Sequence, residues 1–188
     1  AQGGINKRPL YLSLVDDGYV PDRSVTNVKQ LLGSPGMLAL MSCVGTPNNA
    51  AIMPLIEASD ALHLAPFTGA ASLRKQGTSN VYHVRAGYND EVARLVSNLV
   101  DMRLDSLAIV YLDNGFGKEL HQVGVKALTE KGIKAVAEIA VAADGSDLDA
   151  AVKSVLASRP SAMLLFTAGT VSASVVEAIR AASPGMPI

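Results

Sequence analysis

Tryptophan is absent from this sequence, cysteine occurs once, and aromatic residues make up only 4% of its 188 positions. A lone Cys43 rules out an intrachain disulfide and argues against the disulfide-knitted ectodomains of receptors. It reads as a small residue at a strand end rather than as a nucleophile. An excess of one charge is missing too: Lys and Arg number 16, Asp and Glu 17, and no run of like charges occurs. At a net charge of −1, nucleic acid and anionic membrane surfaces are poor partners. No apolar stretch approaches the roughly 20 residues of a membrane span. The chain opens on Ala1-Gln2-Gly3-Gly4, without the charged and then apolar segment of a signal peptide. His63, His83 and His121 stand apart, with no second ligand three or four residues on, so no metal site is read. No Gly-x-Gly-x-x-Gly follows any strand, which leaves no dinucleotide site, and no cofactor is expected. Neither a Ser/His/Asp set nor a close pair of carboxylates is present to support hydrolysis, so the chain is not expected to be an enzyme.

What the sequence does contain is apolar material in quantity: 49% hydrophobic against 18% charged residues, enough for a packed core. Apolar runs alternate with amphipathic stretches from end to end. Strands are predicted at 10–15, 37–44, 61–64, 81–84, 107–112, 135–141 and 162–166, and these runs are continuous rather than alternating. That is the pattern of parallel strands buried on both faces. Between them, Val25, Val28, Leu31 and Leu32 share a helical face, as do Val92, Leu95, Val96 and Leu99. Leu148, Val152, Val155 and Leu156 make a third stripe, and Val171, Val175 and Ile179 a fourth. Ser146-Asp147-Leu148-Asp149 reads as a capping box. Repeated β–α units predict an α/β fold with doubly wound parallel sheets. The segment 72–90, with its polar stretch Lys75-Gln76-Gly77-Thr78-Ser79-Asn80, interrupts the rhythm and marks a domain crossover.

Two strand-to-helix turns carry the chemistry: Ser42-Cys43-Val44-Gly45-Thr46-Pro47-Asn48-Asn49 and Ala65-Pro66-Phe67-Thr68-Gly69-Ala70. In an open α/β sheet such turns lie side by side at the carboxyl ends of the strands, where ligands bind. Thr46 before Pro47 reads as an N-cap with proline at the first helical position. A helix start of this kind offers free N–H groups and the positive end of the helix dipole to a small anion. Neither turn is glycine-rich in the manner of a phosphate cradle, which favours a carboxylate over a nucleotide. Asp16-Asp17 after the first apolar run is a weak match to the acidic pair of response-regulator receivers. The third aspartate and the lysine of that site are missing, and the pair reads better as capping the next helix or meeting solvent.

Taken in order, Gly3-Gly4-Ile5-Asn6, Asp16-Asp17-Gly18-Tyr19-Val20-Pro21, Val44-Gly45-Thr46-Pro47 and Pro66-Phe67-Thr68-Gly69-Ala70 resemble the type I periplasmic binding proteins. The nearest branch is that of the leucine/isoleucine/valine-binding proteins of ABC importers. Val84-Arg85-Ala86-Gly87-Tyr88 and Asp113-Asn114-Gly115-Phe116-Gly117 are similar to that family's crossover and second-lobe turn. The resemblance implies two Rossmann-like lobes, 1–86 and 87–188, that close over a small amino acid or related carboxylate. It implies a periplasmic location, a precursor with a signal peptide, and a membrane permease as partner. Gly3-Gly4 resembles the C-terminal cap of a preceding helix, and the chain stops at Ile188 where a strand is expected. The expectation is therefore an internal piece of a longer binding protein.

Carried over residue by residue, the resemblance places Thr46 and nearby N–H groups on the ligand carboxylate. Phe67 offers its backbone carbonyl to the ligand ammonium, and Thr68 or Gly69 adds polar contacts. Phe116 and Thr170 stand where the family often has tyrosine, so the Phe116 ring packs without donating a hydrogen bond. Tyr19 and Tyr88 complete the candidate set, each with a structural role open beside a ligand contact. The acid that commonly answers the ammonium would lie beyond Ile188. A ligand-sensing regulator or receptor domain on the same fold is the alternative; a helix-turn-helix before Ala1 would mark regulation and a signal peptide transport.

Overall fold

A computed structural model describes residues 3–74 and 80–188. Lys75 to Ser79 of the predicted crossover lie outside the described residues. The chain runs α1 (Pro21–Leu32), β1 (Ala39–Met41), α2 (Thr46–Glu57), β2 (Leu62–Leu64), a 3-10 turn (Ala71–Leu73), β3 (Val81–Tyr82) and α3 (Tyr88–Asp101). It continues with β4 (Leu107–Leu112), α4 (Gly115–Glu130), β5 (Ala137–Val141), α5 (Leu148–Ser158), β6 (Ala162–Phe166) and α6 (Thr170–Ala182). Two parallel sheets result, ordered β1-β2-β3 and β5-β4-β6. This is the α/β architecture that the alternation of runs predicts.

The second sheet shows why its strands read as unbroken apolar runs. Leu107, Ala108, Ile109 and Val110 of β4 are all fully buried. Leu107 and Ile109 pack with Val96 and Leu99 of α3 and Leu128 of α4. Val110 and Leu112 pack on the opposite side with Val155 of α5 and with Val175 and Ile179 of α6. Covered on both faces, the strand is apolar at every position but Tyr111, the one that is only partly buried. In the first sheet Leu40 and Val81 pack with Val28 of α1 and with Ile52, Met53 and Ile56 of α2.

Several predicted boundaries change. Residues 10–15 form no strand: no ladder partner reaches them, and Leu10, Tyr11, Leu12, Leu14 and Val15 are between 52% and 88% exposed. The run at 37–44 contracts to β1, the one at 81–84 to β3, and the one at 135–141 to β5, because pairing stops where the neighbour's register ends. Asp147 flanks α5 but makes no side-chain cap; its carboxylate accepts the Ala142 N–H at 2.9 Å instead. Thr46 is the first residue of α2 and not its N-cap, a place taken by Gly45 at φ 96°.

Two predictions come from the first half of the chain. His63, in the middle of β2, is fully buried, and neither ring nitrogen meets a hydrogen-bond partner among the described residues. Burial, reinforced by neighbouring His83, pushes its pKa down to about 4. Below the ordinary value of 6.5 the unfolded chain then binds more protons than the folded one. Stability falls as pH drops from 6.5 toward 4, by up to about 3 kcal/mol at completion. Urea unfolding across that window should show a difference between wild type and His63→Leu that changes with pH; parallel profiles would refute the assignment. The second concerns residues 10–15, which with exposed Leu38 and Met41 leave an apolar surface that other chains can cover. An isolated polypeptide of these 188 residues is expected to self-associate in light scattering, and a cooperative monomer would show the opposite.

Candidate ligand-binding site

The two turns singled out in the sequence meet at the carboxyl ends of β1 and β2. The Phe67 N–H donates to the Cys43 carbonyl at 2.8 Å, and the Gly45 N–H donates to the Phe67 carbonyl at 3.3 Å. This parallel bridge between Val44 and Phe67 extends the pairing of the strands past their ends. Asn49, fully buried, clamps the first turn from inside α2, its amide donating to the Cys43 and Gly45 carbonyls at 2.8 and 2.7 Å. Gly45 is required here: a Cβ on it would stand 2.5 Å from the Tyr19 ring and 3.0 Å from Asn48 Oδ1. With its positive φ it is strained for any other residue.

Thr46 and Thr68 are both buried, and their hydroxyls lie 2.7 Å apart. Thr68 Oγ1 already accepts the Ala70 N–H at 3.2 Å. When Thr68 donates to Thr46, the Thr46 proton is free for a further acceptor. Tyr19 reaches the same place from the loop before α1, with a φ of 62°. Its N–H donates to Asp17 Oδ1 at 2.9 Å, and Ser24 and Asn48 both donate to the other Asp17 oxygen. Burial pushes the Asp17 carboxyl up, but the hydrogen bonds from Ser24, Tyr19 and Asn48 outweigh it and hold the group below its usual range. Asp16 closes a turn onto Gly18 N–H at 2.8 Å. The acidic pair thus builds the Tyr19 loop, and α1 begins without a side-chain cap. Burial, then the nearby charges of Tyr88 and Asp17, raises the Tyr19 phenol, which remains a donor.

These groups open on a cavity of about 320 Å³. Of the predicted site residues, Tyr19, Thr46, Phe67, Tyr88 and Phe116 line it. Thr68 sits behind Thr46. Gly69 lies behind Tyr88: its carbonyl accepts the Tyr88 N–H at 2.8 Å, and a Cβ on Gly69 would come within 2.5 Å of that ring. Thr170 is exposed at the start of α6, outside the lining, where Ala168 and Phe166 form the wall. The Phe67 carbonyl keeps one lone pair for a ligand beside its bond to Gly45. Cys43 is partly buried, and its thiol is pushed up by burial and then by Asp17, which favours the protonated form.

Sequence reasoning missed the charged part of the wall. Arg85 donates through Nε and Nη2 to the two oxygens of Glu91 at 2.9 and 2.7 Å. Its guanidinium lies 5.1 Å from the centroids of both the Phe67 and the Tyr88 rings. Tyr88 in turn meets Phe116 edge-on at 5.8 Å. Arg85 and Glu91 are six residues apart across a loop–helix boundary, a spacing that no helical or strand periodicity reveals. Leu95, Leu120 and Leu165 complete the apolar side.

A sequence model of the family described as periplasmic binding protein matches residues 1–185. No curated protein matches the sequence significantly. Among solved structures, the chain is similar to a substrate-binding periplasmic protein from Ralstonia solanacearum, with 24% identity and a TM-score of 0.89. The alignment covers 98% of this chain and 52% of that one. A possible leucine/isoleucine/valine-binding protein from Rhodopirellula baltica aligns at 22% identity and a TM-score of 0.81, over 97% of this chain and 51% of that one. A solute-binding protein of an ABC transporter from R. palustris, in complex with benzoate, aligns at 18% and 0.80, over 92% and 48%. The chain spans about half the length of these structures. Their likeness supports the fold, and the match over nearly every residue places the chain in the periplasmic binding protein family.

Proposed function

We propose that this chain is the ligand-binding part of an extracytoplasmic solute-binding protein that serves the membrane permease of an ABC importer. The solute is a small carboxylate, an amino acid of the branched-chain type or a related acid. Two lobes, 1–86 and 87–188, hold it between them. One observation carries this reading: Thr46 stands at the N-terminus of α2, buried, bonded to Thr68, and on the wall of a cavity lined from both sheets' turns. There the helix dipole and a free hydroxyl proton both favour an anion. Leucine and benzoate, named for two of the similar structures, share a carboxylate and differ in everything else. The group common to them is the one Thr46 suits. The reading assigns binding and no chemistry: among the described residues that line the cavity, no nucleophile stands beside a base.

Removing the Thr46 hydroxyl should weaken carboxylate binding by about 1–3 kcal/mol, the effect of losing a hydrogen bond to a charged group. Calorimetry of the intact protein and its Thr46→Ala variant, titrated with leucine and with benzoate, measures this. Equal affinities would remove Thr46 from the site.

A further inference from the structure

Aromatic side chains are scarce in this chain, three phenylalanines and five tyrosines with no tryptophan, yet they are not scattered. All three phenylalanines, Phe67, Phe116 and Phe166, line the same cavity together with Tyr19 and Tyr88. Phe166 and Tyr88 are buried, and Tyr88 packs edge-on against Phe116, so these rings are satisfied by their neighbours. Phe67 differs. It remains 56% exposed although it borders the cavity and its own carbonyl accepts the Gly45 N–H. The Arg85 guanidinium lies over its ring, 5.1 Å from the centroid, and is itself held by two bonds to Glu91 and by the Tyr88 ring. A planar cation held on both an edge and a face keeps the ring beneath it in one orientation. The outcome is an aromatic ring held by Arg85 at the wall of the cavity, with more than half of the residue left exposed by this chain.

We infer that Phe67 is a stacking surface for the bound solute, that Arg85 is its positioning residue, and that the solute carries an aromatic ring in preference to a branched aliphatic group. This rests on the carboxylate-binding reading above and narrows it. A saturated side chain would bury apolar area against Phe67 equally well. Only a flat ring gains the offset or edge-to-face contact with the phenyl rings as well.

The test is calorimetric titration of the intact protein with benzoate, cyclohexanecarboxylate and leucine. Benzoate and cyclohexanecarboxylate match in charge and carbon count and differ in planarity. Benzoate is expected to bind about fivefold or more tighter than cyclohexanecarboxylate, with leucine weaker than benzoate. Phe67→Leu should abolish that ratio. Arg85→Met should narrow it, and Arg85→Lys should restore part of it, whereas a purely structural arginine would weaken all three ligands alike. Cyclohexanecarboxylate or leucine binding as tightly as benzoate overturns the ring preference and leaves carboxylate binding standing. A ratio that survives Phe67→Leu overturns the role of Phe67. If none of the three carboxylates binds, the carboxylate reading fails and this inference fails with it.

Discussion

The site depends on a single short piece of backbone pairing, the bridge by which Phe67 takes the Cys43 carbonyl and gives its own carbonyl to Gly45. β1 and β2 are three residues each, and without this extension their turns would leave the sheet independently. With it, Thr46 and Phe67 are held together although 20 residues separate them in sequence. The buried Thr46–Thr68 bond and the Asn49 clamp then lock what the bridge has aligned. Each of these bonds satisfies a group that burial would otherwise penalise, so the turn is rigid because it has no cheaper arrangement.

Legibility in the sequence follows burial. Strands β4 and β6 agree residue for residue with their apolar runs, because both are covered on both faces and end where polar residues begin. The first sheet is less readable. Residues 10–15 are as apolar as β4 but meet no neighbouring strand, and periodicity records only what a segment could bury. The helix start at Thr46 is displaced by one residue because Gly45, at positive φ, takes the flanking position. Of the candidate site, the turn residues were readable from strand–turn–helix logic. Thr170 was not, since exposure at a helix start depends on how α6 docks. Arg85 and Glu91 were invisible for a related reason: their pairing is made by a change of direction between loop and helix.

Electrostatically the cavity is balanced and yet directional. Arg85 and Glu91 neutralise each other at its edge, both about one third exposed. Thr46 opens α2, and the positive end of that helix dipole favours negative charge beside it. Apolar side chains fill the space between. On the proposed reading, a carboxylate with an apolar body would meet both regions at once, its charged end at Thr46.

The absence of tryptophan has an optical consequence. Indole, where present, accepts excitation from phenol rings and masks their emission; here the five tyrosines are the only strong emitters. Two of them, Tyr19 and Tyr88, form part of the cavity wall, and Tyr88 is in contact with both a guanidinium and a phenyl ring. A solute entering between them changes the surroundings of two fluorophores out of five. The native ultraviolet emission of this chain is thereby a label-free gauge of whether its cavity is filled.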